Sequence, residues 1–323
     1  MTIHNDFEIA PLLWYKIGGK VKYLLDCKSR EDILEAVNFI KEKHIEKVFI
    51  CGQGSNLIFT DEYFDGAVIQ ISADENNPNN IQINDRSEVE VFAGISLDEV
   101  IKFAFSYNLI GLEWAGGLPG TVGAAVRGNV GAYGGEIKDV LVSVDVLDFS
   151  AENPVVKTLY KDDLQFEYRS SLVKTNRQMI VLTARFDLHK ADDAGMEAAS
   201  DVYQKRIQQR KDNHPLEYPN CGSVFKNIRE KEKIEKVISI FPDLSENVER
   251  KWYGKVAVAS LIEKLGLKGF RIGDAQISEK HALFIVNLGH AKAKDVLQII
   301  ETVQQKFQEK FGFKLEVEVE IVK

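Results

Sequence analysis

Four polar residues of this sequence have side chains and neighbours that suit chemistry: Arg169, Ser223, His281 and Glu318. Arg169 follows a tyrosine and precedes two serines, and its planar guanidinium suits bidentate binding of a carboxylate or a phosphate. Ser223 follows a glycine, which leaves room for a ligand beside the hydroxyl. His281 precedes an apolar run, where an imidazole can bind a ligand.

Each of the four also has a plainer interpretation. Arg169 can cap a nearby carbonyl or pair with a nearby aspartate, and Ser223 can be a turn residue, because the sequence has no Gly-x-Ser-x-Gly nucleophile elbow. Glu318 alternates with two other glutamates along one predicted strand, which is typical of a solvated strand face. His281 can equally be a core histidine with its hydrogen bonds satisfied. The residues alone leave both sets of interpretations open.

The densest local signal is a run of eight glycines within residues 116–135. Glycine loses more backbone entropy on folding than any other residue, so the run indicates either tight turns or a backbone that lies flat against a ligand. A solvated linker is disfavoured by the apolar residues in the run, Leu118, Val122, Val126 and Val130. A second loop, residues 52–56, reads Gly-Gln-Gly-Ser-Asn after a predicted strand and suits either an anion or a tight hairpin.

Composition excludes several classes of protein. The chain has 323 residues, 45% of them hydrophobic, and a formal net charge of −8, which argues against nucleic-acid and membrane-surface partners. Three cysteines without metal-ligand spacing predict reduced thiols and no metal site. The first residues have no signal-peptide pattern, and no apolar stretch is long enough to span a bilayer. These features predict a cytoplasmic protein.

Hydrophobic periodicity predicts the elements that position these residues. Capping boxes at Ser29 and Ser96 open two helices, the second of which is expected to bury Val100, Phe103, Ala104 and Tyr107. Residues 292–311 have a helical pattern, and residues 314–322 alternate as a strand. An Asn-rich and Pro-containing loop at residues 74–85 marks a boundary. The chain divides into segments 1–73, 74–192 and 193–323.

Six sequence runs occur in one order along the chain: Gly52-Gln-Gly-Ser-Asn56, Leu118-Pro-Gly-Thr-Val-Gly123, Asn129-Val-Gly-Ala-Tyr-Gly134, Tyr168-Arg-x-Ser171, Gly222-Ser-Val-Phe-Lys-Asn227 and Leu315-Glu-Val-Glu-Val319. As an ordered set they resemble one flavoenzyme family, the UDP-N-acetylenolpyruvoylglucosamine reductases (MurB). The resemblance covers nearly the whole chain. Residues 189–196 lack the tyrosine-bearing insertion that one branch of the family carries.

The resemblance implies an α+β fold: an FAD-binding fold of the vanillyl-alcohol-oxidase (PCMH) type in two subdomains, followed by a C-terminal α+β substrate-binding domain. It implies non-covalent FAD, with NADPH as the reductant. The positions that match the family's FAD contacts are Ile17, Gly18, Gly52, Gln53, Gly54, Ser55, Asn56, Leu118, Pro119, Gly120, Thr121, Gly123, Ala124, Asn129, Gly131, Ala132, Tyr133, Ile180 and Val181.

The resemblance also assigns catalytic roles. After hydride transfer to an enolpyruvyl ether, Arg169 and Glu318 stabilise the enolate-like charge, and Ser223 gives a proton to the carbon. Donation of a hydrogen bond by a protonated Glu318 requires a desolvated carboxyl, so we expect Glu318 to be buried. The substrate, UDP-N-acetylglucosamine enolpyruvate, is matched by four positions, Tyr168, Lys211, Asn227 and His281, and nearby cations for its diphosphate are Arg206, Arg210 and Lys226.

Two other functions fit parts of the sequence. An FAD-dependent oxidase or dehydrogenase of the same fold acting on another sugar or alcohol is disfavoured, because residues 52–56 and 116–135 contain no His or Cys for covalent flavin attachment. A non-catalytic nucleotide-sugar-binding protein is disfavoured by the intact catalytic set. We expect a monomer whose partners are the UDP-sugar and NADPH.

Overall fold

A computed structural model describes residues 1–74, 77–84, 86 and 88–323. The chain separates into two compact units. The first consists of Met1–Phe7, Lys20–Gly54 and Phe64–Asp212, and the second of Glu8–Gly19, Ser55–Tyr63 and Asn213–Lys323. The division predicted from the sequence has three segments, and the first two fall mainly in the first unit. Part of the predicted boundary loop, residues 75, 76 and 85, lies outside the described residues.

The strands are short and belong to several small sheets. In chain order they are β1 (Thr2–Glu8), β2 (Lys20–Cys27), β3 (Val48–Cys51), β4 (Leu57–Phe59), β5 (Phe64–Ile71), β6 (Ile81–Ile83), β7 (Val89–Phe92), β8 (Leu109–Ile110), β9 (Gly131–Ala132), β10 (Gly135–Glu136), β11 (Leu141–Asp148), β12 (Val155–Tyr160), β13 (Met179–Phe186), β14 (His189–Lys190), β15 (Arg271–Ile272), β16 (Ala275–Ile277), β17 (Ile285–Asn287) and β18 (Glu320–Val322).

The helices range from one turn to more than five. In chain order they are α1 (Arg30–Glu42), α2 (Leu97–Ser106), α3 (Val122–Arg127), α4 (Leu172–Thr175), α5 (Asp193–Asn213), α6 (Lys231–Ile240), α7 (Val258–Lys264) and α8 (Ala293–Phe311). None of the helices in the described ranges is both long and apolar enough to cross a membrane.

The first unit contains two main sheets. One has the strand order β1–β2–β5–β3, in which β5 runs parallel to both β2 and β3. Helix α1 packs beside it through Ile33, Ala36, Val37 and Ile40, as the sequence predicts, and the Ser29 side chain accepts a hydrogen bond from the Asp32 amide at 3.1 Å. This cap satisfies one of the amides left unpaired at the start of the helix.

The second sheet of this unit has the order β12–β11–β13–β7–β6. Helix α2 begins with the predicted capping box of Ser96 and Glu99. Its buried face includes Val100 and Ala104, but the prediction that Tyr107 is buried was wrong, because this side chain is 51% exposed at the end of the helix. Phe103 is half-buried. Helix α2 ends at Ser106, one residue before Tyr107, the last residue of the predicted apolar stripe.

The second unit is built around helix α8. Its inward face consists of the predicted residues, Val296, Ile299, Ile300, Val303 and Phe307, all of them buried. The three-stranded sheet β15–β16–β17 belongs to the same unit, and β18 pairs in parallel with β4, with Glu320 opposite Leu57. The predicted strand at residues 314–322 was too long, because the partner β4 has only three residues.

Candidate functional site

Three glycines of residues 116–135, Gly116, Gly131 and Gly135, are required by packing. A Cβ at Gly116 would lie 2.6 Å from the backbone oxygen of Tyr203, and one at Gly135 would lie 2.5 Å from the Trp114 ring. Both distances are shorter than any relaxed contact, so only glycine fits at these positions. Protein atoms, rather than a ligand, therefore account for these glycines.

Gly116→Ala is therefore expected to destabilise the protein by about 1–3 kcal/mol, because the clash is with backbone that cannot rotate away. Gly128→Ala is the matched control from the same run, since the nearest atom to its Cβ would be the Ala124 oxygen at 3.4 Å. Thermal unfolding of both variants checks this. Equal melting temperatures for the two variants would contradict the packing explanation.

One glycine of the run, Gly134, faces open space. Its φ is +98°, and among the described residues no atom beyond its chain neighbours lies within 4 Å of a built Cβ. It lies at the tip of the β9–β10 hairpin beside Tyr133, which also has a left-handed φ of +55°. A ligand can approach the backbone at this tip, so contact with a ligand stays one of the two interpretations of the run.

A second glycine loop is fastened to the first. The side-chain oxygen of Gln53 accepts a hydrogen bond from the Gly120 amide at 3.1 Å, and the Gly52 backbone lies directly against Thr121. The Thr121 hydroxyl accepts a bond from the Ala124 amide and so caps α3. Within the described residues, the backbone amides of Gln53 and Gly54 have no hydrogen-bond acceptor. Free amides of this kind suit an anion.

The predicted FAD contacts are divided between the two units. The first unit carries Gly52, Gln53, Gly54, Leu118, Pro119, Gly120, Thr121, Gly123, Ala124, Asn129, Gly131, Ala132, Tyr133, Ile180 and Val181. The second unit carries Ile17, Gly18, Ser55 and Asn56. Ile180 and Val181 are buried in β13, opposite Leu147 and Val146 of β11.

Asn129 has a structural role that the sequence did not reveal. Its side-chain amide donates to the Glu136 carboxylate at 3.1 Å and to the Glu167 carbonyl at 3.0 Å, and its oxygen accepts from the Lys138 amide at 3.3 Å. The residue is buried. Because protein groups take both N–H donors and one lone pair of the oxygen, the side chain of Asn129 serves mainly to fix the loop, and its backbone is the part left to meet a cofactor.

The side chain of Arg169 is hydrogen-bonded to the β9–β10 hairpin. Its Nη1 donates to the Gly131 carbonyl at 2.9 Å, and its φ of +59° is left-handed. Lys174 donates to the Arg169 carbonyl at 2.8 Å, and Ser171 donates to the Arg127 carbonyl at 2.7 Å. The guanidinium therefore caps a carbonyl, which was one of the two interpretations that the sequence allowed. Its positive charge is still able to attract an anion.

Ser223 of the second unit lies after a turn made by a buried asparagine. The Asn220 oxygen accepts from the Gly222 amide at 3.0 Å, while its amide donates to the Tyr218 and Pro215 carbonyls at 2.9 and 3.3 Å. Gly222 has a φ of +78°, and in the part of the chain that the structure describes no atom apart from its chain neighbours lies within 4 Å of a built Cβ. Asn220 was missed in the sequence, although an asparagine two residues before a glycine is a known turn signal.

Glu318 lies beside the Ser223 segment in the same unit. Its amide donates to the Val224 carbonyl at 2.8 Å, and its carbonyl accepts from the Asn56 side chain at 3.5 Å. The prediction that Glu318 is buried was wrong, since the residue is half-buried. The neighbouring residue, Val317, forms an isolated antiparallel bridge with Phe225.

The predicted substrate residues of the second unit have protein partners of their own. The Asn227 oxygen accepts from the Val258 amide at 3.1 Å at the start of α7. His281 packs against Phe284 with ring centroids 5.0 Å apart, its Nδ1 accepts from the Leu283 amide, and burial lowers its pKa. His281 is half-buried, so these contacts leave both of its interpretations open.

The predicted cations differ in their environment. Lys226 forms an ion pair with Glu316, which compensates its charge locally. Lys211 is exposed in the last turn of α5.

Tyr168, the remaining predicted substrate residue, lies beside Arg169, with the guanidinium carbon of Arg169 5.5 Å from the ring centroid of Tyr168. No group of His, Cys, Asp and Glu in the described ranges is arranged to hold a metal ion.

Comparisons with known proteins agree with this architecture. A family model described as UDP-N-acetylenolpyruvoylglucosamine reductase, C-terminal domain, matches residues 214–322, and one described as FAD binding domain matches residues 21–154. The crystal structure of UDP-N-acetylenolpyruvylglucosamine reductase (MurB) from Thermus caldophilus superposes with a TM-score of 0.73 at 27% identity, covering 100% of this chain and 98% of its own.

Curated relatives extend the match to the full length. The UDP-N-acetylenolpyruvoylglucosamine reductase of Caldicellulosiruptor bescii is 37% identical over 98% of this chain and 90% of its own. That of Fusobacterium nucleatum is 36% identical over 100% of both chains. These matches confirm the predicted α+β fold class with an FAD-binding domain and a C-terminal domain. The chain belongs to the UDP-N-acetylenolpyruvoylglucosamine reductase family.

Proposed function

We propose that this protein uses NADPH and non-covalently bound FAD to reduce UDP-N-acetylglucosamine enolpyruvate to UDP-N-acetylmuramate, a step of peptidoglycan biosynthesis. The observation that carries the proposal is the hydrogen bond from the Glu318 amide to the Val224 carbonyl at 2.8 Å. It places a carboxyl-bearing residue next to the segment of Ser223. In a member of this family, this pairing and the open space at Gly222 support a role for Ser223 as the donor of a proton to a substrate carbon.

The residues of the first unit fit the cofactor. When bound, FAD supplies the two-electron chemistry, taking a hydride from NADPH and giving it to the enolpyruvyl double bond. The free amides of Gln53 and Gly54 suit its pyrophosphate. The hydrogen bond between Gln53 and Gly120 joins this loop to residues 116–135, the second stretch that we expect to contact the cofactor. The open backbone at Gly134 leaves space for a flat ring.

Arg169 and Glu318 act on the charge that the substrate develops. Once the terminal CH₂ has gained a hydride, the electron pair of the double bond moves to the neighbouring carbon and into the carboxylate. The Arg169 guanidinium, fixed by its bond to the Gly131 carbonyl, supplies positive charge to those oxygens. Glu318 in its protonated form donates a hydrogen bond to the same group.

Ser223 completes the reaction by transferring the proton of its hydroxyl to that carbon. A serine hydroxyl is a weak acid, so it serves only because the carbon is strongly basic, and the serine must then regain a proton. The open space beside Gly222 gives the substrate access to this hydroxyl. The substrate gains one hydride and one proton, and its ether becomes a lactyl ether.

We also propose that four further residues contact the substrate and that the protein is a monomer. Tyr168, Lys211, Asn227 and His281 match substrate positions of the family. The Tyr168 ring beside Arg169 supports the first of these. For Asn227 the side-chain oxygen is already occupied by Val258, so its amide nitrogen is the group offered to substrate.

The experiment is steady-state oxidation of NADPH with product analysis. We expect the purified protein to be yellow and to oxidise NADPH in proportion to added UDP-N-acetylglucosamine enolpyruvate. Mass spectrometry should show a product heavier by two hydrogens. NADPH oxidation at the same rate without the UDP-sugar, or recovery of the UDP-sugar unchanged, would overturn the proposal.

A further inference from the structure

Arg169 lies at the tip of a tight turn. Glu167 and Ser170 exchange both of their backbone hydrogen bonds, at 3.1 and 3.2 Å, so Tyr168 and Arg169 are the two central residues. Arg169 has a φ of +59°, in the left-handed region. A turn with a left-handed third residue normally has glycine or asparagine there, because a Cβ crowds the backbone in that conformation. Turn chemistry alone therefore does not favour an arginine at this position.

Side chains from two other segments hold this turn in place. The Lys174 Nζ donates to the Arg169 carbonyl at 2.8 Å, and the Asn129 side-chain amide donates to the Glu167 carbonyl at 3.0 Å. The direction of the Arg169 carbonyl is set by the backbone dihedral angles of Arg169 itself. The bond from Lys174 therefore holds the conformation of the residue that carries the guanidinium. An unfavourable backbone conformation persists only where its surroundings enforce it in this way.

Lys174 is itself placed by a buried cap. It lies in the one-turn helix α4, which begins after Ser171, and the Ser171 hydroxyl accepts a hydrogen bond from the Lys174 amide at 3.3 Å. The same hydroxyl donates to the Arg127 carbonyl at the end of α3, at 2.7 Å. Ser171 is buried. The position of the Lys174 backbone is therefore fixed relative to α3, and its side chain reaches back to the turn from a defined starting point.

Arg169 is thus fastened at two points. Lys174 holds its carbonyl, and the Gly131 carbonyl holds its Nη1 at 2.9 Å. If the backbone of Arg169 moved to the right-handed or the extended region, its Cβ would point in another direction and the guanidinium would be displaced. A displacement of about 1 Å in a catalytic group can lower a rate by about 100-fold. The conformation that Lys174 holds therefore has a consequence for the reaction.

We propose that Lys174 is a positioning residue for the reduction of the UDP-sugar. Its hydrogen bond to the Arg169 carbonyl keeps Arg169 in the left-handed conformation from which the guanidinium meets the substrate's carboxylate. Lys174 acts through Arg169 and not as a second cation for the substrate. The proposal rests on the proposed function, because that function assigns the stabilisation of negative charge to Arg169.

The first test compares the two half-reactions in FAD-loaded variants. Lys174→Met should slow reoxidation at saturating UDP-sugar by about 10- to 100-fold, the factor that corresponds to loss of one hydrogen bond from a charged group. Reduction of the flavin by NADPH should keep its rate, because Arg169 has no role in that step. Lys174→Arg keeps a charged donor and should recover most of the rate. Lys161→Met, which removes an exposed lysine of the same unit, is the matched control. Flavin content and melting temperature of each variant monitor folding.

A double-mutant cycle separates positioning from direct action on the substrate. If Lys174 acts through Arg169, adding Lys174→Met to Arg169→Met should slow reoxidation no further, because the group being positioned is already absent. Slowing by the same factor in both backgrounds would show that Lys174 acts directly on the substrate, and would overturn the proposal. A wild-type reoxidation rate in folded Lys174→Met would also overturn it.

Crystal structures of the FAD-loaded wild type and Lys174→Met give a readout that does not depend on turnover. We expect a positive φ at Arg169 in the wild type, and in the variant a loss of that conformation or of the bond to the Gly131 carbonyl. The same Arg169 conformation and the same bond in both proteins would overturn the proposal. If the UDP-sugar fails to reoxidise the wild-type flavin while the two structures differ as expected, the proposed function fails and the positioning of Arg169 by Lys174 stands.

Discussion

Ser223→Ala is expected to slow reoxidation of the reduced enzyme by the UDP-sugar by about 100- to 10,000-fold, the usual contribution of a positioned general acid. Removal of the hydroxyl leaves the substrate carbanion without its proton donor. The rate of flavin reduction by NADPH should not change, because that step involves no proton transfer from Ser223. Anaerobic stopped-flow absorbance measures the two rates separately.

Two further variants make this prediction specific. Ser223→Cys keeps a proton donor at the same position and should recover part of the lost rate. Ser260→Ala is the control, since this hydroxyl in the same unit donates to the Ala257 carbonyl at 2.9 Å and has no role in the mechanism. A reoxidation rate in Ser223→Ala within a few-fold of the wild-type rate would show that another group supplies the proton.

Arg169→Met is expected to reduce the reoxidation rate by about 100- to 1,000-fold, as for the loss of one preorganised group that stabilises transition-state charge. The guanidinium is held by the Gly131 carbonyl, so its position is set before the substrate arrives. Arg169→Lys keeps the charge but loses the planar fork, so its rate should fall between those of Arg169→Met and the wild type.

The control for Arg169 is Arg177→Met, which removes an exposed cation from the same unit. Because Arg169 also fastens the hairpin through Gly131, the flavin content of each variant must be measured alongside the rates. If Arg169→Met, with full flavin content, is reoxidised as fast as the Arg177→Met control, the electrostatic role is excluded.

The elements predicted best from the sequence are those whose signals are local. The capping box of Ser96 and Glu99 and the cap at Ser29 both form, because each needs only residues three positions apart. The stripe on α8 likewise forms as predicted, since one helix face decides it. The burial of Tyr107 was predicted wrongly because it depends on where α2 ends. The periodic pattern of apolar residues does not show the end of the helix.

The glycine run shows what a sequence leaves undetermined. Its density predicts a special backbone, but not whether protein or ligand fills the space of each missing side chain. Gly116 is explained by Tyr203, which follows it by 87 residues, and Gly135 by the Trp114 ring. Gly134 faces open space. Such distinctions depend on contacts made by distant parts of the chain.

The end of the chain shows the same limit for a strand. Strict alternation at residues 314–322 predicts a strand and its two faces, but the number of paired residues is set by the partner. That partner, β4, comes more than 250 residues earlier and has only three residues. The predicted burial of Glu318 followed from its expected role rather than from a pattern, and the half-buried residue must lose its remaining solvent when substrate binds if it is to donate a hydrogen bond.

The most direct test of the proposed reaction is an anaerobic double half-reaction followed by flavin absorbance. NADPH is added first, to bleach the bound FAD, and UDP-N-acetylglucosamine enolpyruvate second. The proposed function predicts that the yellow colour returns with this substrate in the absence of oxygen, and that UDP-N-acetylglucosamine without the enolpyruvyl group does not restore it. Return of the colour only when oxygen is admitted would contradict the proposed function and indicate a different substrate.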